Sequence, residues 1–594
     1  MKQGNRGPRA LLLAAVMMAV CLGMSEFAQA ATPVSLSQRA AAMADEISLE
    51  WSRSLNSAGA IVDPITGHID GGYGRSFLAY GMLRATQRNP ALGLAPIISR
   101  ALPTSVGVAQ SPFNVLGLAE TLIHAHGSLD SSVTKLVEGA VLSVPPFGTS
   151  SPSAPCYQRV GCYDNLKLVN ATAVLAVLAA LPGRHGSGQS TFANPRVAAQ
   201  AALGLLRTTI PRVEIPTARL EVTGVRLTGA VLSDPANNPP AYLALSAMKL
   251  GRALQLAGHP PGGAALAFQR AIVALLGLTA PNGDISYMGR GQGQVWTFAS
   301  AAAACALAMR LLPAQHFIRS HCEGLAETEL NALTARRTLG GIGIAVVPRR
   351  TWDRGVDAYV NRTDYNGLTV YALNVMVDAL AGLGDPGEQA LPAAESGERF
   401  VDSDGSGLAT TSLHGLWFAV HSRGTNASDS RWGFGLMAMQ WVKGTAWIST
   451  LTDRPLGPTS QGPTLLDGGH YYEPVGQSIQ IAPGRIVIQG GWFAGQRLHS
   501  PATFTYEGVK AGVMLRFAVQ RGARLIVRAW LTPGESRLAA VVIHGGREST
   551  RRDQLSSGND ASNNLNQVVH RLYHPRYTQV LWMRGVRKAA YLPG

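Results

Sequence analysis

The chain has 594 residues, of which 46% are hydrophobic and 15% charged, and a formal net charge of +15. That length exceeds what one hydrophobic core serves and predicts two large domains, while the apolar fraction excludes global disorder. A positive excess of this size suits either a solvated basic surface or a polyanionic partner.

The N-terminus decides which polyanions are in reach. Lys2, Arg6 and Arg9 precede the apolar run LLLAAVMMAVCLG, which is too short to span a bilayer, and Ala28-Gln29-Ala30 gives a small-x-small cleavage pattern. Residues 1–30 read as a secretory signal, and the mature protein is expected to be secreted or periplasmic, with no stable membrane insertion once the signal is cut. In that compartment an acidic polysaccharide or oligosaccharide is the expected partner and nucleic acid is not.

Residues 31–385 read as helix after helix. Apolar recurrence at helical spacing appears in YGRSFLAYGMLRATQR, FNVLGLAETLIHAHG and NLKLVNATAVLAVLAALPG, and returns in AYLALSAMKLGRALQLAG, QVWTFASAAAACALAMRLLP and YNGLTVYALNVMVDALAGLG. Pro and Gly mark their ends. Several of these helices are apolar nearly all round, so each is buried on two sides. Polar and aromatic residues concentrate at alternate joints, in DGGYGR, CYDNLK, NGDISYMGRGQGQ and NRTDYNG. A ring of helical hairpins would bring those joints to one face.

Residues 386–398, rich in Pro, Gly and acidic side chains, read as a linker. From 399 to 594 the texture becomes β: GLWFAVHSRG, SIQIAPGRIVIQGGWF, ATFTYEGVKAGVMLRFAV and ARLIVRAWL alternate between turn residues, as in an antiparallel sandwich. The expected class is therefore multidomain α then β.

Four cysteines follow the signal. Their even number in an exported chain favours disulfides, and proximity pairs Cys156 with Cys162 and Cys305 with Cys322. No Cys/His spacing matches a zinc site. VDSDGSG opens like a calcium loop with Asp402, Asp404 and Ser406, but Leu413 stands where such a loop ends in Glu, so an Asp-rich turn is expected. No cofactor is expected, with a divalent cation left open.

An exported helical toroid followed by an antiparallel β-sandwich resembles the (α/α)-toroid polysaccharide lyases, such as the hyaluronate/chondroitin, alginate and heparinase-like families. The resemblance spans nearly the whole mature chain in architecture. It implies β-elimination on a uronate-containing polymer, with Asn, Gln, Arg or His neutralising the carboxylate and Tyr or His removing the C5 proton. That chemistry needs fixed donors for the enolate and a base whose pKa is lowered by nearby cations.

NGDISYMGRGQGQVW supplies Tyr287 and Arg290 three apart, a proton-transfer pair, with Asn282, Gln292 and Gln294 to hold the carboxylate. CYDNLKLVN offers Asn165 and Asn170 as neutralisers. GGYGRS repeats the Tyr/Arg pairing in Tyr73 and Arg75, and WDRGVDAYVNRTDYNG adds Trp352, Arg354, Tyr365 and Asn366 for stacking and hydrogen bonding to sugars. Each of these stretches also has a plainer account as a helix cap or packed loop. From the β half, His414, or His470 with Tyr471, would reach over the cleft as in heparinase-like relatives. An Asn-His-Tyr-Arg order is not reproduced, since only His185 and His259 fall between Asn170 and Tyr287. The rival readings are a glycoside hydrolase, with Asp284 as acid and Asp164, Asp353 or Asp364 opposite, and a non-catalytic glycan-binding protein.

Overall fold

The computed structural model describes residues 35–586, apart from internal stretches of which the longest are 146–163, 233–239, 336–361, 424–433, 450–462 and 549–565, with shorter ones that include 107–110, 288–290 and 292–293. Twelve α-helices are described: α1 (Leu36–Ser52), α2 (Gly74–Arg88), α3 (Ala95–Val106), α4 (Pro112–Ala125), α5 (Ser131–Leu142) and α6 (Asp164–Ala180), then α7 (Pro195–Glu214), α8 (Pro240–Ala257), α9 (Ala264–Leu278), α10 (Val295–Leu311), α11 (His316–Thr334) and α12 (Arg362–Leu380).

The even-numbered helices pack as a closed ring: α2 on α4, α4 on α6, α6 on α8, α8 on α10, α10 on α12, and α12 back on α2. The odd-numbered helices lie outside it. Composition explains the sorting. Outer α5 buries only Val133, Val137 and Val141, one stripe at a spacing of four. Inner α10 buries every residue from Val295 to Met309, because its alanines let two neighbours and an outer helix approach at once. Glycine does the same at α2 and α12, where a Cβ on Gly367 would lie 2.7 Å from the Gly74 carbonyl oxygen. Ends are fixed locally: Ser35 and Gln38 form a capping box at α1, and Asp130 caps α5. No described helix is long and apolar enough to cross a membrane.

Seventeen strands follow the antiparallel pattern in two sheets. In chain order they are β1 (Ala218–Val222), β2 (Val225–Gly229), β3 (Arg399–Asp402), β4 (Leu408–Leu413), β5 (Leu416–His421), β6 (Gly435–Lys443), β7 (Ala446–Ser449), β8 (Pro463–Asp467) and β9 (His470–Ala482), then β10 (Arg485–Ala494), β11 (Arg497–Val509), β12 (Gly512–Ala518), β13 (Arg524–Leu531), β14 (Arg537–His544), β15 (Arg547–Glu548), β16 (Asn566–Tyr573) and β17 (Thr578–Val586). A seven-stranded sheet runs β2-β1-β3-β4-β5-β6-β7 and a ten-stranded one β15-β14-β17-β12-β11-β10-β9-β8-β13-β16. Their facing sides meet in one core, with Phe418, Val420, Leu436 and Met439 against Ile486, Ile488, Trp492, Phe504 and Tyr506. The architecture is thus a helical toroid followed by an antiparallel β-sandwich.

One element departs from the reading of 31–385 as helices alone. Between α7 and α8, Ala218–Val222 (β1) and Val225–Gly229 (β2) form a hairpin closed by Thr223 and Gly224, both at positive φ. β1 pairs with β3 (Arg399–Asp402), matching Leu220 to Phe400. The alternation in ARLEVTGVRLTG and its Thr-Gly turn carry the signal, but five-residue strands are outweighed by the long helices beside them.

The two parts are joined by a dense seam. Thr410 on β4 (Leu408–Leu413) donates to the Gly277 carbonyl at 2.8 Å, and Phe400 lies where a Cβ on Gly277 would be. Gln440 on β6 (Gly435–Lys443) donates to Asn282 Oδ1 at 2.7 Å and accepts from the Asn282 amide at 3.2 Å.

Candidate active site

Because helices alternate between outer and inner positions, the six inner helices run the same way and their N-termini open on one mouth. Contacts among their first residues show this. Tyr73, at the entrance of α2, stacks on Phe113 of α4 at 4.5 Å. Trp296 of α10 meets Tyr365 of α12 at 6.1 Å and Tyr242 of α8 at 5.4 Å. The Asp364 carboxylate accepts from the Gly74 amide at 2.6 Å, so α12 caps α2. Aromatic faces therefore line five of the six helix entrances. The sixth, α6, presents Asn165, whose Oδ1 is buried without a hydrogen-bond partner, and Asn170 one turn deeper.

Arg75 and Lys167 are buried cations in the first turns of α2 and α6. Each helix N-terminus adds roughly half a positive charge. Flat rings, amides, a guanidinium and converging dipoles suit a ligand that is hydroxylated and negatively charged. Among the described residues no group of three His, Cys, Asp or Glu side chains is placed to hold a metal ion.

The mouth thus collects Tyr73, Arg75, Asn165, Asn170, Gln294, Tyr365 and Asn366 from four separate joints. All but Tyr73 are buried, and the Gln294 amide oxygen accepts from the Trp296 indole. Arg290, Gln292, Trp352, Arg354, Cys156 and Cys162 lie outside the described residues, as does the side chain of Tyr471.

Other expected site residues stand elsewhere. Tyr287 packs edge-on against Trp417 of β5 (Leu416–His421), and its hydroxyl donates to the Leu278 carbonyl at 2.9 Å. Burial, with the negative charges of Asp284 and Glu398 adding to it, pushes the phenol well above its ordinary range. This is the reverse of the lowering that a general base requires. Asn282 is held by Gln440, and Asp284 accepts from the Ser286 amide at 2.8 Å and its hydroxyl at 3.0 Å. The segment Asn282–Tyr287 is thus part of the seam between toroid and sandwich. His414 sits exposed in the β4–β5 turn at φ 49°, its amide donating to Ser396, and His470 is exposed at the start of β9 (His470–Ala482).

Cys305 and Cys322 are buried free thiols whose side chains meet between α10 and α11, so the expected bond between them is not formed here.

Sequence reasoning missed what fills the ring below the mouth. Arg252 donates to both oxygens of Glu120, at 2.9 and 2.6 Å, with the Tyr371 hydroxyl 3.4 Å away. Arg84 grips Asp378 the same way, at 3.0 and 2.7 Å, and His124 Nε2 lies 3.3 Å from Asp378. Lys249, fully enclosed, points its amine at the faces of Tyr371, Phe77 and Phe113. Charged residues inside helices that are apolar all round, as in GLAETLIHAHG and SAMKLGRALQ, were the available signal.

No protein-family model matches the chain, and no curated protein sequence matches it significantly. Solved structures of similar fold include heparinase III, at 8% identity over 95% of this chain and 88% of that one, with a TM-score of 0.45. A heparan sulfate lyase from Pedobacter heparinus matches at 10% identity over 94% and 84%, with a TM-score of 0.41. An unsaturated glucuronyl hydrolase from Streptococcus agalactiae matches at 10% over 58% of this chain and 96% of its own, with a TM-score of 0.38.

Proposed function

We propose that the protein is an extracytoplasmic carbohydrate-active enzyme that cleaves an acidic, uronate-containing polysaccharide by β-elimination in the N-terminal mouth of the helical ring. One observation carries this reading: aromatic faces, amides, a buried arginine and six helix N-termini gather at one end of the ring. Sugar rings stack on the aromatic faces. Arg75, Asn165 and Asn170 take the uronate carboxylate, so that the C5 proton becomes removable and the charge developing on the carboxylate is met by fixed donors.

With the Tyr287 hydroxyl committed to Leu278, proton transfer passes to the tyrosines of the mouth, Tyr73, Tyr242 and Tyr365. One of them, as phenolate, takes the C5 proton. The C4–O bond then breaks with its electron pair leaving on oxygen, a C4=C5 double bond forms, and the phenol returns its proton to that oxygen. Hydrolysis by paired carboxylates fits less well, because Asp284 already accepts from the Ser286 amide within its own turn and Asp364 from the Gly74 amide at the entrance of α2.

The test is to incubate the purified protein with hyaluronan, chondroitin, heparan sulfate and alginate and to follow near-ultraviolet absorbance from the unsaturated uronate. Replacing the responsible mouth tyrosine by Phe should lower kcat by about 10²–10⁴-fold. Chain cleavage without the chromophore would refute elimination.

A further inference from the structure

Inside the ring the described charges pair off, with Glu120 held by Arg252 and Asp378 by Arg84. Lys249 is left over. Its side chain is wholly enclosed, and its Nζ has no hydrogen-bond partner. The amine lies 4.0 Å from the ring centre of Tyr371, 5.4 Å from Phe77 and 5.7 Å from Phe113. Such a cage attracts a cation through the ring faces but supplies no counter-charge. Burial pushes the amine well below the usual lysine range; Glu120 opposes this and Arg252 adds to it.

An amine without a counter-ion in so dry a place is costly, and methionine would fill the same volume without that cost. Perturbed, unmatched groups of this kind collect at functional sites. The placement says which site. Phe113, one wall of the cage, is the second residue of α4 and stacks on Tyr73, so the same ring is also a wall of the mouth. Asn165, whose Oδ1 has no partner, stands at the entrance of neighbouring α6.

We propose that Lys249 is the counter-ion for an anionic group of the ligand, a carboxylate or a sulfate, seated at the floor of the N-terminal mouth, and that its arrival is coupled to uptake of one proton from solvent by the amine. The anion supplies the missing charge, and the cage then holds an ammonium that is both paired and stacked. This deepens the reading of the mouth as the ligand's entry and rests on it. It does not depend on the reaction being an elimination.

Sodium glucuronate, sodium sulfate and glucose are the probes. Each is titrated calorimetrically into the wild type, Lys249→Met and Lys249→Arg at pH 8, in two buffers of different ionisation enthalpy, with far-ultraviolet circular dichroism confirming the fold. The wild type should bind at least one of the two anions with uptake approaching one proton, and glucose with none. Which of glucuronate and sulfate binds tells carboxylate from sulfate recognition. Lys249→Met should bind that anion at least about tenfold more weakly and without proton uptake. Lys249→Arg, permanently charged, should bind it without proton uptake. Equal affinity and equal proton uptake in the wild type and Lys249→Met would overturn the proposal, as would a wild type that binds neither anion. Turnover of polysaccharide is read separately: a protein that binds glucuronate through Lys249 yet forms no unsaturated product would sink the elimination and leave the anion site standing.

Discussion

Replacing Lys249 by methionine should make the ligand-free protein more stable, and the gain should depend on pH in a defined direction. In the unfolded chain this lysine titrates near 10.5, the ordinary lysine value, whereas burial holds it well below that in the fold. At pH 7 the unfolded state therefore binds a proton that the folded state does not. Removing a proton from an ordinary lysine at pH 7 costs about 5 kcal/mol, the product of 3.5 pH units and roughly 1.4 kcal/mol per unit. That is the ceiling on what methionine recovers. Attraction to three ring faces returns about 2 kcal/mol to any protonated fraction, so a gain of about 3–5 kcal/mol is expected. Since the unfolded state binds more protons, wild-type stability rises with pH from the lowered pKa up to 10.5. The methionine variant lacks that slope, and the two proteins converge near pH 10.5. Urea denaturation of both at pH 7, 8, 9 and 10 measures the difference. A difference that stays constant with pH, or a wild type more stable than the variant at pH 7, would show that the rings and Glu120 keep the amine protonated, and the reasoning would fail. A destabilising lysine at the floor of the proposed anion site would be the kind of trade that function imposes on stability.

Tyr287→Phe should cost about 1–2 kcal/mol in urea denaturation, the loss of a buried hydrogen bond to Leu278, while leaving turnover within about twofold. A large fall in kcat with unchanged stability would return Tyr287 to the chemistry. Glu398 is wholly buried, and burial raises its carboxyl well above the ordinary range; Glu395 adds to the rise, while Thr410 and Arg399 oppose it. The folded state therefore keeps a proton that the unfolded state loses, and this contribution to stability fades as pH rises from the ordinary carboxylate range through the raised pKa. Glu398→Gln should remove a slope of about 1.4 kcal/mol per pH unit across that window, as read by melting at pH 4 to 9. Protein recovered from an oxidising compartment should carry a Cys305–Cys322 bond, the two sulfurs losing two protons and two electrons to a disulfide-donating oxidoreductase. Peptide mass mapping with and without reductant detects it, and two alkylatable thiols at these positions would exclude it.

The order of helices, strands and linker was legible because each half keeps one hydrophobic period over many residues, and inner and outer helices differ in how much of their circumference is apolar. The mouth was legible in part. Polar residues at alternate joints imply a common face, and Tyr73, Arg75, Asn165, Tyr365 and Asn366 do collect there. Tyr287 was misplaced because spacing along a loop does not say which way a side chain turns: beyond the Gly283 bend it faces Trp417, a residue 130 positions away in another domain. The axial charges were hidden for a related reason. Glu120, Lys249 and Arg252 come from two helices separated by a third, so their meeting is a property of ring closure and leaves no local pattern.

The β1–β2 hairpin binds the two halves of the chain in a way the linker composition conceals. Its inner strand finds its partner 180 residues further on, at Arg399–Asp402, and Phe400 from that strand lies against the glycine notch at Gly277. Cutting the chain in the linker would leave β1 as a bare edge and empty the space that Phe400 fills. The ring and the sandwich are therefore poor candidates for separate expression, and a sandwich moved to another ring would seat only if strand and notch travelled together.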